Sequence, residues 1–155
     1  YGQLAERSRK LATVLAEPPA WYRTSRLNII GWLAADLGLR DLGTEIAQAL
    51  SPYADELIAP GTALVCAGPA ALVLSRLDAL DGRADDAIDR LRVALDRAVV
   101  TGLRCWEAPI LVELADRLHD RGDRAGARGA AERALVLARR IGQPGFAARA
   151  AKRLD

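Results

Sequence analysis

The sequence predicts an all-α protein, an α-solenoid of antiparallel helical hairpins, and three observations support this fold class. Ala, Leu and Arg dominate the composition while aromatic residues make up only 5% of it, a balance that favours helices. Apolar residues recur at helical spacing in most segments. Two long stretches also repeat each other at a separation of 40 residues, which is typical of a helical-repeat architecture.

The repeat is clearest around Gly82 and Gly122, and a looser copy surrounds Gly38, 44 residues before Gly82. Because glycine adopts the left-handed conformation that ends a helix at little cost, these glycines predict turns between paired helices. Small residues at matching positions predict where two helices approach most closely. Leu74 matches Leu114, and the small residues match as Ser75 with Ala115, Ala87 with Ala127, and Ala94 with Ala134.

We expect about eight helices, at 2–17, 20–37, 40–55, 67–81, 84–101, 106–121, 124–141 and 144–154, with the longest loop at 56–65. They form repeats at about 20–55, 67–101 and 106–141, with partial or capping helices at 1–17 and 144–155. Pro69 and Pro109 are expected in the first turns of their helices, where a missing N–H costs nothing. We expect one domain, and, because the 155 residues include no Met, a fragment of a longer chain.

The two clearer copies resemble tetratricopeptide repeats. One copy matches the family pattern at Leu74-Ser75, Gly82, Ala87, Leu91 and Ala94, and the next at Leu114-Ala115, Gly122, Ala127, Ala131 and Ala134. The family repeat is a helix–turn–helix of about 34 residues, whereas the spacing here is 40. The resemblance implies a superhelix of stacked hairpins whose first helices line a concave groove.

A second, narrower resemblance lies between Gly102 and Gly145. It is carried by Gly102, Trp106, Leu114, Ala115, Leu118, Gly122, Asp123, Ala127, Ala134, Ala138, Gly142, Pro144 and Gly145. This run is similar to the C-terminal repeats of multidomain bacterial regulators, the LuxR-class ATPase transcriptional regulators and related actinobacterial cyclase-type sensors. The resemblance implies a sensor or scaffold segment whose ATPase, cyclase and DNA-binding parts lie elsewhere in the full-length chain.

The sequence carries no recognisable catalytic motif. It contains no P-loop, dinucleotide-binding or nucleophile-elbow pattern, and its single histidine, His119, excludes a zinc site of the HExxH type. Acidic residues near the Gly82 turn are interpreted as solvated helix-end charges; they are Asp78, Asp81, Asp85 and Asp86. We therefore expect no enzyme, no cofactor and no metal.

Net charge and hydropathy limit the classes of partner that we expect. The net charge is +2, from 22 basic and 20 acidic residues, so electrostatics give no reason to expect direct nucleic-acid binding. A basic run near the end of the chain is interpreted as a solvated face; it comprises Arg133, Arg139, Arg140, Arg149, Lys152 and Arg153. No apolar run is long enough to span a membrane, and Cys66 and Cys105 are interpreted as small buried residues of a reducing cytoplasm.

The implied groove supplies the candidate binding residues. By register they are Asn28, Trp32 and Asp36 in the first repeat, Leu72 and Arg76 in the second, and Val112, Asp116 and His119 in the third. Trp32 offers an aromatic anchor. Arg76, between the acids Asp36 and Asp116, offers a guanidinium for a peptide carboxylate or backbone.

The sequence is compatible with three functions. The first is a non-catalytic protein-interaction or regulatory scaffold module, which binds a protein, a peptide or another domain of its own chain, or forms a homodimer. The second is a small-ligand effector-sensing domain that controls an attached ATPase or cyclase, and it would require a pocket with convergent polar groups. The third is an enzyme with an unrecognised site, which would require strongly shifted titrating groups.

Overall fold

The computed structural model describes residues 22–59 and 66–154, together with Glu6. These residues form seven α-helices: α1 (Arg23–Leu37), α2 (Arg40–Leu50), α3 (Ala70–Leu80), α4 (Ala84–Val100), α5 (Arg104–Asp120), α6 (Arg124–Arg140) and α7 (Pro144–Ala151). The prediction of an all-α protein is confirmed. The helix predicted at 2–17 lies outside the described residues except for Glu6.

A short ladder pairs residues of the predicted loop 56–65 with residues at the start of the predicted helix 67–81. The two-residue strands β1 (Leu57–Ile58) and β2 (Gly68–Pro69) pair antiparallel, with Leu57 opposite Pro69 and Ile58 opposite Gly68. This pairing buries Ile58 in the apolar core between α1, α2 and α3. A ladder of this length leaves no alternating pattern in the sequence, so neither strand was predicted, and the helix predicted from residue 67 begins at Ala70 instead.

The chain divides into two compact units, Tyr1–Arg83 and Ala84–Asp155. In the described part of the first unit, α1 packs against α2 and α3, and α2 packs against α3. In the second unit, α5 packs against α4, α6 and α7, and α6 packs against α7. The boundary falls between the two helices of the predicted repeat 67–101, and the single-domain organisation stays a prediction.

Five helices end in the same way, on a glycine in the left-handed conformation. The φ angles are 68° at Gly38, 81° at Gly82, 70° at Gly102, 86° at Gly122 and 73° at Gly142. In each case the next residue donates its N–H to the carbonyl five residues earlier, at 2.8–2.9 Å. This bond satisfies a carbonyl that the end of the helix would otherwise leave open. The turns predicted at Gly38, Gly82 and Gly122 are therefore confirmed.

Small side chains occupy the buried faces as the repeat predicts. Ser75, Ala87, Ala94, Ala115, Ala127 and Ala134 are all buried. The helix α6 buries alanines alone, at positions 127, 130, 131, 134 and 138. In the looser first copy, a Cβ added to Gly31 on α1 would lie 2.7 Å from a methyl of Val73 on α3. The absence of a side chain at Gly31 therefore permits the close approach of α1 and α3.

Pro109 does not lie in the first turn of its helix as predicted, because α5 begins at Arg104 and Pro109 is its sixth residue. Pro109 has no N–H to donate to the carbonyl of Cys105, four residues earlier. The side-chain Nε2 of Gln143 donates to that carbonyl at 2.8 Å instead. A residue in the α6–α7 turn thus replaces the backbone hydrogen bond that the proline removes.

We expect Gln143→Ala to lower the free energy of unfolding by about 1 kcal/mol, because it leaves the Cys105 carbonyl without its donor. The same substitution should cost less in a Pro109→Ala background, where the introduced alanine supplies a backbone N–H of its own. Urea unfolding of the two single variants and the double variant gives the coupling directly. Equal costs in both backgrounds would show that Gln143 does not compensate for the proline.

Candidate functional site

The first unit brings together three of the predicted groove residues, Trp32, Asp36 and Arg76, which we call the α1–α3 cluster. Trp32 and Asp36 are one turn apart on α1 and therefore share a face. The Arg76 guanidinium lies 4.2 Å from the centre of the Trp32 ring. Its Nη1 donates to Oδ1 of Asp36 at 2.9 Å. The cation is thus held by an aromatic face and a carboxylate at once.

Exposure differs within the α1–α3 cluster. The Asp36 side chain is 61% exposed and that of Arg76 is 19% exposed, while Trp32 is half-buried. An ion pair this close to solvent adds little to stability. It does fix the orientation of the guanidinium and the indole, so that the cluster presents a preorganised aromatic and charged surface.

Beside this cluster, α1 carries an exposed apolar stripe that sequence reasoning missed. Ile29, Leu33 and Leu37 are 53%, 43% and 39% exposed. Their spacing of four residues places them on one helix face, next to Asp36. The signal was present in the sequence, because α1 has apolar residues on every side, and a helix of that kind either is fully buried or offers a surface to a partner.

The second unit contains a denser group of charges, the α5–α7 cluster, which comprises Glu113, Asp116, Arg117, Arg149 and Arg153. Glu113 is only 1% exposed and accepts from Arg117 at 3.2 Å and from Arg149 at 3.3 Å. Asp116 accepts from Arg149 at 2.8 Å and from Arg153 at 2.6 Å. Since a buried carboxylate is costly without cations, these arginines stabilise Glu113 and hold the end of the chain against α5.

The two clusters use the same arrangement. In each unit an aspartate accepts from an arginine two helices further along the chain, Asp36 from Arg76 and Asp116 from Arg149, and Asp116 also accepts from Arg153, which follows α7. Arg149 and Arg153 are therefore ion-paired, although both side chains keep access to solvent, at 40% and 32% exposure. Sequence periodicity cannot reveal such pairs, because it does not show which turns face each other.

Three of the predicted groove residues do not lie on a surface. Asn28, Leu72 and Val112 are 4%, 5% and 1% exposed, so their assignment to a groove surface is wrong. The reason is packing on several sides: α3 contacts both α1 and α2, and α5 contacts three helices. Of the other predicted residues, His119 is exposed, and Asp116 lies in the second unit.

The acidic residues near Gly82 are not all solvated, as the sequence had suggested. Asp78 is buried and accepts from Nη2 of Arg83 at 2.6 Å, while Asp81 accepts from Nη1 of Arg83 at 3.0 Å. The hydrogen bond to Asp78 is the main cause that raises the pKa of Arg83 above its ordinary value. The hydroxyl of Thr44 on α2 also donates to Asp81, at 3.3 Å. These hydrogen-bonded side chains lie at the C-terminal end of α3.

Cys66 and Cys105 are free and exposed, contrary to the expectation that they are buried. Within residues 22–59 and 66–154, no three His, Cys, Asp or Glu side chains are placed to hold a metal ion. In the same part of the chain, no helix combines the length and apolar character that crossing a membrane requires.

Comparison with known proteins does not test the two resemblances, and both stay predictions. No protein-family model matches the chain, and no curated protein or solved structure shows significant similarity to it.

We expect Arg149→Ala to lower the free energy of unfolding by about 1–3 kcal/mol, because it removes a cation that compensates the buried Glu113. Hydrogen exchange of the α7 amides should also accelerate, since the Arg149–Asp116 pair joins α7 to α5.

Arg128→Ala is the matched control, because Arg128 pairs with Glu132 on an exposed face of α6. Its effect should stay below about 0.5 kcal/mol. If the two arginine variants were equally stable in urea, the α5–α7 cluster would have no structural role.

Proposed function

We propose that this chain is a non-catalytic protein-binding module, a tetratricopeptide-like helical-repeat segment of a bacterial signalling or transcriptional regulator. The observation that carries the proposal is the exposed stripe of Ile29, Leu33 and Leu37 beside the α1–α3 cluster.

Local structure supports the helical-repeat part of the proposal. Four of the left-handed glycines, Gly82, Gly102, Gly122 and Gly142, follow one another at intervals of 20 residues, so each pair of helices occupies the 40-residue sequence repeat. Contacts between every second helix, α1 with α3 and α5 with α7, are those expected where the first helices of successive hairpins stack. The alanine faces supply the close helix approach that such stacking needs.

The exposed stripe supports protein binding rather than another role. Apolar residues four positions apart match the spacing by which an amphipathic helix docks its apolar face. The half-buried Trp32 and the fixed Arg76 lie at the edge of this surface, and Trp and Arg are the residue types that most often dominate binding energy. We propose an amphipathic helical segment of a partner, or of another domain of the same full-length chain, as the occupant.

The test is a selection of helical peptides from a displayed library, followed by measured affinities for variants of the chain. Leu33→Asp should weaken binding at least tenfold, because it places a charge in the centre of the apolar stripe. Leu33 is exposed, so the variant should keep the circular dichroism and urea midpoint of the parent chain.

Val93→Asp is the matched control, because Val93 is a similarly exposed aliphatic residue, on α4 in the other unit. It should leave the affinity within about twofold, since surface changes outside the binding face are near neutral. Peptides that bind Leu33→Asp as tightly as the parent chain would contradict the assignment of the α1 face.

A further inference from the structure

The described residues include three buried charged side chains, and one of them has no counter-charge. Asp78 is paired with Arg83, and Glu113 is paired with Arg117 and Arg149. The third, Arg26 on α1, is 7% exposed, and no described residue forms an ion pair or hydrogen bond with it. Because a buried charge is strongly disfavoured without a partner, Arg26 is the exception that requires an explanation.

The unpartnered atoms of Arg26 form a recognition edge. They are Nε and Nη2, both closed to solvent and without a hydrogen-bond partner. The N–H bonds of these two nitrogens point to the same side of the planar guanidinium. That edge is the fork that binds the two oxygens of a carboxylate or phosphate side-on.

The neighbouring residue is also a buried polar group without a partner. Ser25 is 1% exposed, and its Oγ is likewise buried without a partner. Two consecutive polar side chains thus lie in the interior with unused hydrogen-bonding capacity, whereas buried polar groups are nearly always paired. The serine hydroxyl and the guanidinium can both donate to an oxyanion.

The position of the two residues on the helix favours an anion. Ser25 and Arg26 lie in the first turn of α1, where the helix dipole is positive. This turn contains no acidic residue, and Tyr22, at the N-cap, makes no side-chain capping bond. The positive charge of Arg26 and that of the helix terminus therefore add, with no described negative group to offset them.

We propose that the first turn of α1 binds a small oxyanion, a carboxylate or a phosphate, through Nε and Nη2 of Arg26; the buried hydroxyl of Ser25 lies in the same turn. Nε and Nη2 are closed to solvent, and charge-assisted hydrogen bonds are stronger in such an environment than at a surface. This site goes beyond the proposed protein-binding function and does not depend on it.

The experiment is thermal unfolding of the chain in sodium phosphate, sodium acetate or sodium chloride at equal ionic strength and pH 7, with calorimetric titration of the same anions. Phosphate or acetate should raise the Tm in a saturable way that chloride does not, because ligands that bind the native state stabilise it. The two arms distinguish a phosphate site from a carboxylate site. The titration needs no variant, so it stands even if a variant fails to fold.

Arg26→Gln should abolish the anion-dependent rise in Tm, and in chloride it should raise the Tm, since it removes an uncompensated buried charge. Arg23→Gln is the matched control, because it removes the same charge from an exposed position in the same turn, and it should keep the anion response.

Three results would overturn the proposal. One is a parent chain that behaves identically in all three salts. Another is an equal loss of response in Arg23→Gln, which would show general screening. The third is a fall in the Tm of Arg26→Gln in chloride, because it would show that an acid of the chain itself already compensates Arg26.

Discussion

The left-handed glycine that ends a helix is the constraint on which the rest of this structure depends. At Gly38, Gly82, Gly102, Gly122 and Gly142 the chain takes a positive φ, and the following N–H closes a bond to the carbonyl five residues earlier. This arrangement ends the helix at a defined residue and sends the chain into the next helix after a short turn. From Gly82 onward the turns recur every 20 residues, so the lengths of the helices follow from the spacing of the turns.

Given these turns, the side chains decide how closely the helices pack and what they present. The alanines and Gly31 place short side chains, or none, between neighbouring helices, so that these helices approach closely. Aspartates accept from arginines two helices further along the chain within each unit, Asp36 from Arg76 and Asp116 from Arg149. The apolar stripe of α1 and the edge of the α1–α3 cluster lie at the surface among the described residues of the first unit, and they are the reason for proposing a protein-binding role.

Much of the helical layout could be predicted from sequence, because glycine turns and apolar periodicity are local signals. From α1 onward the predicted helices fall close to the observed ones, and the turns at Gly82 and Gly122 are where they were expected. Burial on individual faces was harder to predict. Leu72 and Val112 were placed on a surface, but α3 and α5 pack on more than one side and bury them. The partners of Asp116 and the lone buried charge of Arg26 depend on tertiary contacts that no periodicity encodes.

The most direct test of the turn constraint is to replace Gly122 by L-alanine and by D-alanine through chemical ligation and to compare urea unfolding. A Cβ of L configuration at Gly122 would meet no atom within 4 Å, so a change in stability reflects backbone conformation rather than a clash. We predict that L-alanine lowers the free energy of unfolding by about 1 kcal/mol, because positive φ is strained for an L-residue. D-alanine, for which positive φ is favourable, should leave the free energy unchanged or raise it. Equal free energies of unfolding for the L- and D-alanine proteins would contradict the turn constraint.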